Sequence, residues 1–187
     1  MVKVEAVQIG DSPFAPLFTI LAGPDSQAKQ LGENKKEWAD RHFKRYEFWK
    51  GLLEKSRERT KLFSAISPGR ANWIGTGAGK SGVFFAYWIS RDSSGCDFYI
   101  DYDKDTGEKN KEIFDALHTQ KESIEKDFGG PLEWERLDGK RASRIRKDFP
   151  GKGLSTPDTW QDLQDEMIDA MIRLDRTLRS RLAKIKA

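Results

Sequence analysis

The residues best suited to chemistry are six basic side chains concentrated between Trp134 and Phe149. Alternating residues of a β-strand point to opposite faces, so several of these cations can share one face of a hairpin. A basic hairpin can lie along the phosphate backbone of a nucleic acid and neutralise its charge. The sequence therefore predicts a nucleic-acid-binding surface here, with ordinary surface charge as the alternative. The six predicted binding residues are Arg136, Lys140, Arg141, Arg144, Arg146 and Lys147.

A second hypothesis is a divalent-metal nuclease, in which carboxylates hold the ions and a lysine polarises the attacking water. Asp138-Gly139-Lys140 matches the D/E-x-K half of the restriction-endonuclease signature, with Asp101 and Asp115 as candidate partners. Matches of this length arise by chance in a charged chain, and this one falls in the turn of a predicted hairpin instead of on a strand. We therefore assign no catalytic residues and expect neither a metal nor a cofactor.

Two glycine-containing patterns fail on spacing. The segment Gly75–Ser81 resembles a phosphate-binding loop, but Ile74 occupies the position of the first glycine and a strand-like stretch follows. The alternating acids of Asp101–Asp105 resemble a calcium loop, but Gly107 comes one position late. A glycine-rich hairpin and an acidic strand-to-helix turn explain these segments.

The elements that must position these residues follow from the period of the apolar side chains. Side chains alternate in Phe98–Tyr102 and in Leu132–Leu137, which predicts half-buried strands, whereas Val83–Ile89 is apolar on both faces and predicts a central strand. Trp38, His42, Tyr46, Trp49 and Leu53 recur at spacings of three and four, as in a helix. The predicted strands lie near 72–75, 82–90, 96–102, 131–137 and 141–147, and the predicted helices near 35–55, 109–128 and 157–185.

These elements predict an α+β fold. An antiparallel sheet of about five strands would be covered, mainly on one face, by three main helices, and an N-terminal strand pair would precede it. Residues 1–32 would form those first strands and a linker, which could be the tail of an upstream nuclease-like domain. Residues 33–187 would form a single α+β domain.

The amino-acid composition further limits the class of protein to which this chain can belong. The chain of 187 residues is 37% hydrophobic and 34% charged, with 21 aromatic residues (Trp 6, Tyr 4, Phe 11), which is typical of a folded domain with large apolar groups to bury. The longest apolar run, Val83–Ile89, is far shorter than the roughly 20 residues that cross a membrane. A single cysteine, Cys96, excludes an internal disulfide, and the chain opens without a secretory signal pattern. We expect a cytoplasmic protein without membrane contact.

The last predicted helix carries one apolar stripe from Trp160 to Ile185. Such a stripe can pack across its own domain or pair with another helix. Packing within the domain is the simpler interpretation. A homodimer formed through Trp160 to Ile185 is the alternative, in which the chain would be a protein-interaction module.

Several short stretches together resemble a known family. The more specific ones are Tyr99-Ile100-Asp101, Leu132-Glu133-Trp134-Glu135 and Ser143-Arg144-Ile145, within a match over roughly residues 40–180. They resemble the uncharacterised domain-of-unknown-function family numbered forty-two sixty-eight. The stretch from Val4 to Pro16 is similar to the junction of longer prokaryotic members, where a restriction-endonuclease-like domain lies upstream. The resemblance implies a non-catalytic nucleic-acid-binding or regulatory module of a restriction or defence protein, with DNA favoured, and it supplies no catalytic residues.

Overall fold

The computed structural model describes residues 2–20 and 26–185. The chain divides into two compact units, residues 1–40 and residues 41–187. In the first unit, β1 (Val2–Val7) pairs antiparallel with β2 (Ala15–Ile20), which confirms the predicted N-terminal strand pair. Residues 21–25, which fall within the predicted strands and linker of residues 1–32, lie outside the described residues.

The first helix, α1, spans Ser26–Arg59 and so begins about nine residues before the predicted start. Residues 26–32, assigned to a linker, are helical because they are mostly good helix formers, although their polar sequence lacks an apolar stripe. The aromatic stripe predicted from Trp38 onward is buried in its second half alone. Trp38 is 59% exposed, whereas Trp49 and Leu53 are completely buried.

The second unit contains a five-stranded antiparallel sheet, as predicted. Its strands are β3 (Trp73–Gly77), β4 (Val83–Ile89), β5 (Ser93–Ile100), β6 (Glu133–Glu135) and β7 (Ser143–Pro150). Their order across the sheet is β3-β4-β5-β7-β6, so β4 is an interior strand, while β5 occupies the middle. The β6–β7 hairpin forms as expected, but with shorter pairing and a longer connection through residues 136–142.

Three helices follow or separate these strands: α2 (Glu108–His118), α3 (Lys121–Phe128) and α4 (Trp160–Leu182). The single helix predicted over 109–128 is thus two helices. The break lies at Gln120, whose backbone (φ −106°, ψ 14°) departs from helical geometry, whereas Thr119 is still helical (φ −58°, ψ −20°). Gly129 ends α3 in the left-handed conformation (φ 86°), as its position predicts.

The hydrophobic core lies between α4 and one face of the sheet. On β4, alternation sends Phe85, Tyr87 and Ile89 into this core, and on β5 it sends Cys96 there, within 3.3 Å of the Met167 carbonyl in α4. The apolar stripe of α4 is itself almost fully buried in this domain, consistent with packing across its own sheet. Its buried members include Leu163, Met167, Met171, Leu174, Leu178 and Leu182.

Candidate binding site on the open face of the sheet

The six predicted nucleic-acid-binding residues lie in different parts of the domain. Arg136, Lys140 and Arg141 belong to the connection between β6 and β7. Arg144 and Arg146 point to one face of β7, whereas Lys147 lies on the opposite side, together with the buried Ile145 and Phe149. The structure therefore brings Arg144 and Arg146 together and separates them from Lys147.

Two of the loop arginines are held by carboxylates. Arg136 binds Asp115 through two contacts, Nε to Oδ1 at 2.8 Å and Nη2 to Oδ2 at 3.0 Å, and it also pairs with Asp138. These hydrogen bonds from Arg136 lower the pKa of Asp115. Arg141 binds Asp101 in the same bidentate way, at 2.7 and 2.8 Å. Bidentate pairing of this kind occupies the guanidinium edge that a phosphate would need.

The same contacts occupy the carboxylates proposed for a nuclease. Asp115 and Asp138 are bound by one arginine and Asp101 by another, so each carboxylate already has a cationic partner. Within residues 2–20 and 26–185, no group of three or more His, Cys, Asp or Glu side chains is placed to hold a metal ion. Lys140 is exposed in the loop.

The face of the sheet opposite α4 carries a different set of side chains, and we call it the open face. It contains a groove of about 460 Å³, a volume in the usual range for small-ligand sites. Every lining residue comes from β3, β4, β5 or β7, apart from one residue just before β3. The lining consists of Asn72, Trp73, Phe84, Ala86, Trp88, Asp97, Tyr99, Arg144 and Arg146.

Three aromatic rings form a continuous stack along the open face. Trp73 lies beside Phe84 with ring centroids 6.3 Å apart and planes inclined by 25°. Phe84 in turn lies beside Tyr99 at 5.0 Å and 28°. Trp73 folds down over Gly75, where a Cβ would come within 3.2 Å of the indole. The side chain of Trp73 is 52% exposed, so the end of the stack is accessible to a planar ligand.

A second indole, that of Trp88, is fixed by polar contacts. Its Nε1 donates to Oδ1 of Asp97 at 3.1 Å, and the Arg146 guanidinium lies 4.5 Å from the ring centroid. Gly95 is required beneath it, because a Cβ there would lie 2.6 Å from Nε1 of Trp88 and 2.7 Å from the Lys147 carbonyl. Ala86 lies between the two indoles, and because its side chain is only a methyl group, the space above it stays open as the groove.

Asp97 is the buried acid of this site. Oδ1 of Asp97 also lies 3.3 Å from Nε of Arg146, and Oδ2 lies 3.9 Å from Nη1 of Arg144. Burial raises the pKa of Asp97 to about 6, although Arg146 and Arg144 favour the ionised form. A carboxyl group whose ionised form is destabilised by burial in a groove is a typical feature of binding sites.

The charge of the open face does not favour phosphates. Arg144 donates to Glu135 at 2.5 Å through Nε, and Arg146 lies 2.7 Å from Asp148. On β5, β6 and β7 the two arginines stand among four carboxylates, because alternation and register put Glu133, Glu135, Asp97 and Asp148 on this side. Stacking and hydrogen bonding, more than net positive charge, are what this surface offers a ligand.

Sequence reasoning missed Trp73, Phe84, Trp88 and Asp97 as site residues. The signal was present in β4, whose residues are apolar on both faces, but that pattern was interpreted as burial of both faces. If helices cover mainly one face of the sheet, as predicted, then the apolar residues on the other face of β4 form an uncovered aromatic surface. The partner of Trp88, Asp97, could be found through the alternation of β5.

The model of one protein family, described as Domain of unknown function (DUF4268), matches residues 44–182. The chain belongs to the DUF4268 family. The match begins in α1 and ends with α4, so the DUF4268 region contains the whole five-stranded sheet and its open face. Neither the curated proteins nor the solved structures contain a significant match to this chain. Across the described parts of the DUF4268 chain, every helix is too short or too polar to cross a membrane.

Proposed function

We propose that this domain is a non-catalytic nucleic-acid-binding module that takes unpaired bases on its open face. The observation that carries the proposal is the stack of Trp73, Phe84 and Tyr99 beside a groove with hydrogen-bonding groups. Domains that bind single strands present aromatic side chains on which bases stack, at about 1–3 kcal/mol per base. The exposed indole of Trp73 offers such a platform.

We place the nucleic-acid contact on the open face of the sheet and not on the β6–β7 loop. Arg136 and Arg141 are occupied by aspartates, and Arg144 and Arg146 by carboxylates of the sheet. Few phosphates would therefore be neutralised, and affinity would depend on salt much less steeply than in a protein that makes about 6–10 phosphate contacts. Duplex DNA, whose bases are stacked inside the helix, would bind more weakly than a single strand.

The experiment is a fluorescence-anisotropy titration of labelled ten-nucleotide DNA and RNA single strands and of a DNA duplex, each at low and moderate salt. Trp73→Ala and Tyr99→Ala should each weaken single-strand binding about tenfold, which corresponds to the loss of one stacking contact. Lys140→Ala, in the loop, is the matched control and should change affinity less than about twofold. Displacement of the oligonucleotide by equimolar mononucleotide would assign the site to free nucleotides.

Two outcomes would contradict the proposal. The first is a loss of binding in Lys140→Ala with unchanged binding in Trp73→Ala, which would restore the basic hairpin as the contact. The second is the absence of binding to every probe at low salt. Circular dichroism of each variant separates these outcomes from unfolding.

The cellular setting belongs to the same proposal. A single buried cysteine, Cys96, fits a reducing cytoplasm. The family resemblance supports a restriction- or defence-type parent protein with an upstream nuclease-like domain and DNA as the preferred ligand. Dimerisation through Trp160 to Ile185 is less favoured, because most of that stripe is already buried in the domain.

A further inference from the structure

We infer that the domain forms a homodimer by antiparallel pairing of β3 with β3 of a second copy, which joins the two sheets into one. β3 is an edge of the sheet: it pairs with β4 on one side, and within the described part of the chain no strand lies on its other side. The unpaired backbone groups of such an edge are a template for a further strand. This pairing needs no ligand, so it is independent of the proposed nucleic-acid binding.

The outward backbone groups of β3 are those of its odd-numbered residues. The N–H of Ile89 donates to the carbonyl of Asn72 at 2.8 Å, so the carbonyl of Asn72 faces β4. Backbone groups alternate in direction along an antiparallel strand, and those of Trp73, Gly75 and Gly77 therefore face outward. No group among the described residues forms a hydrogen bond with them.

The two edges of the sheet differ in their protection against pairing. β6, the opposite edge, has three residues, and Glu133 and Glu135 are charged. Short, charged edge strands resist pairing with other chains. β3 has five residues and contains neither a charged side chain nor a proline, and both of its ends, Trp73 and Gly77, are exposed. Of the two edges, β3 is thus the one open to a further strand.

A second copy of β3 fits this edge. When Gly75 of one copy lies opposite Gly75 of the other, each Trp73 lies opposite Gly77 of the other copy, and the outward groups of the three positions pair. An added Cβ at Gly77 would have no atom within 4 Å, so the open face has space there for the Trp73 side chain of the second copy. The paired segments carry no charge, so the two copies approach each other without repulsion between them.

The aromatic stack of the open face favours a second copy over an arbitrary extended peptide. Phe84 and Tyr99 lie on neighbouring strands with centroids 5.0 Å apart, which is close to the strand spacing of about 4.8 Å. Trp73 ends the stack and is 52% exposed. A second β3 at the same spacing places its own Trp73 against this exposed ring, whereas a strand without a large flat side chain leaves the ring uncovered. Because the ring contacts either the second indole or a base, the dimer is a state of the protein without nucleic acid.

The test is sedimentation velocity of the protein without nucleic acid, from about 5 to about 500 µM, because five residues per copy make a small interface and a weak, reversible dimer. The mass should rise from 21.4 kDa toward twice that value. Gly77→Pro removes an outward N–H and leaves the bonds to β4 in place, so it should be monomeric throughout. Gly77→Ala keeps this N–H and is the matched control, with a dimer affinity within about threefold of wild type. Trp73→Ala should weaken the dimer about tenfold, because the pair of indoles is lost.

Two results would overturn the inference. One is a wild-type protein that stays monomeric over the whole range. The other is a dimer of unchanged affinity in Gly77→Pro with a wild-type circular dichroism spectrum, since the contact would then lie elsewhere. If Gly77→Pro does not fold, Gly77→Glu decides, because it places a carboxylate where the second Trp73 lies and should also be monomeric. A Gly77→Glu dimer of wild-type affinity would contradict pairing through β3.

Discussion

Trp88 donates its indole N–H to the carboxylate of Asp97, with 3.1 Å between Nε1 and Oδ1. The two residues lie on adjacent strands, and Arg146 contacts both, its Nε near Asp97 and its guanidinium 4.5 Å from the indole centroid. An aromatic wall of the groove is therefore oriented by a buried charge. The Asp97 carboxyl group therefore affects both the stability of the fold and the geometry of the candidate site.

We expect Asp97 to make folding less favourable as pH rises. Burial raises its pKa in the folded protein from 3.8 to about 6, so the folded state binds the proton more tightly than the unfolded chain. Its contribution to stability is therefore largest below the unfolded value and is lost as pH rises through about 6. Relative to Asp97→Asn, the wild-type protein should lose about 2 kcal/mol of unfolding free energy between pH 4.5 and pH 7.5. Urea unfolding followed by tryptophan fluorescence at the two pH values measures this difference.

Comparison of wild type and variant cancels most other titrating groups. Asp148, whose pKa is also raised by burial, is present in both proteins. Asp97→Asn keeps an oxygen that can accept from Trp88, so the indole contact is retained. A difference in stability that stays constant with pH would show that Asp97 is ionised throughout this range, contrary to the expectation.

Lys111 is expected to hold the β6–β7 connection in place. Its Nζ donates to the carbonyls of Arg136 at 2.6 Å and Leu137 at 3.0 Å and to that of Ala142 at 2.8 Å. Lys111→Met keeps the aliphatic stem and removes these donors, so the Ala142 carbonyl loses its hydrogen bond from Nζ, while the Arg136 and Leu137 carbonyls each keep one other donor. We expect a loss of about 2–3 kcal/mol in unfolding free energy, measured by urea denaturation. Lys109→Met, at an exposed position of α2, is the control and should stay within about 0.5 kcal/mol.

The elements of the fold could be predicted because their signals are local. The alternation of β5 and the apolar stripe of α4 each report which side of an element is buried, and the structure confirms both. The break at Gln120, which splits one predicted helix into two, was missed because the apolar stripe continues across it. A change in the backbone dihedrals of one residue leaves no trace in hydrophobic periodicity.

The candidate site could not be predicted in the same way, since it depends on contacts between distant parts of the chain. Arg136 meets Asp115, 21 residues earlier, and Arg141 meets Asp101, 40 residues earlier. A count of basic residues along the hairpin treats these arginines as available, whereas the fold neutralises them. The register of β5 with β7, which places Asp97 beside Arg146, likewise depends on how distant parts of the chain pair.

The crossing of α1 and α4 is expected to depend on Gly51. A Cβ at this position would lie 2.8 Å from Nε2 of Gln164, a buried amide that donates to the Phe48 carbonyl at 3.1 Å. Gly51→Ala gains about 1 kcal/mol of helix propensity but should still destabilise the protein by about 1–2 kcal/mol, because the buried Gln164 amide must turn away and lose its hydrogen bond to the Phe48 carbonyl. Thermal and urea unfolding measure the change.

A double-mutant cycle tests the cause of that effect. In Gly51→Ala/Gln164→Ala the clash is removed, so the double variant should be more stable than the sum of the single changes predicts, by at least about 1 kcal/mol. Gly69→Ala is the control, since no atom lies within 4 Å of the added Cβ. Additivity of the two changes would place the effect of Gly51 elsewhere than in the contact with Gln164.

Cys96 should be unreactive in the folded protein and reactive once the layer between β5 and α4 opens. Its side chain is fully buried with Sγ 3.3 Å from the Met167 carbonyl, and burial, together with the neighbouring Asp97, raises the pKa of the thiol. Both effects suppress the thiolate that attacks a disulfide reagent. At pH 8, labelling of native protein with an aromatic disulfide should be at least about a thousandfold slower than in urea, if opening costs more than about 4 kcal/mol. Lys140→Cys adds an exposed thiol as an internal control, which should react at once, and equally rapid labelling of Cys96 would mean that α4 separates from the sheet at little cost.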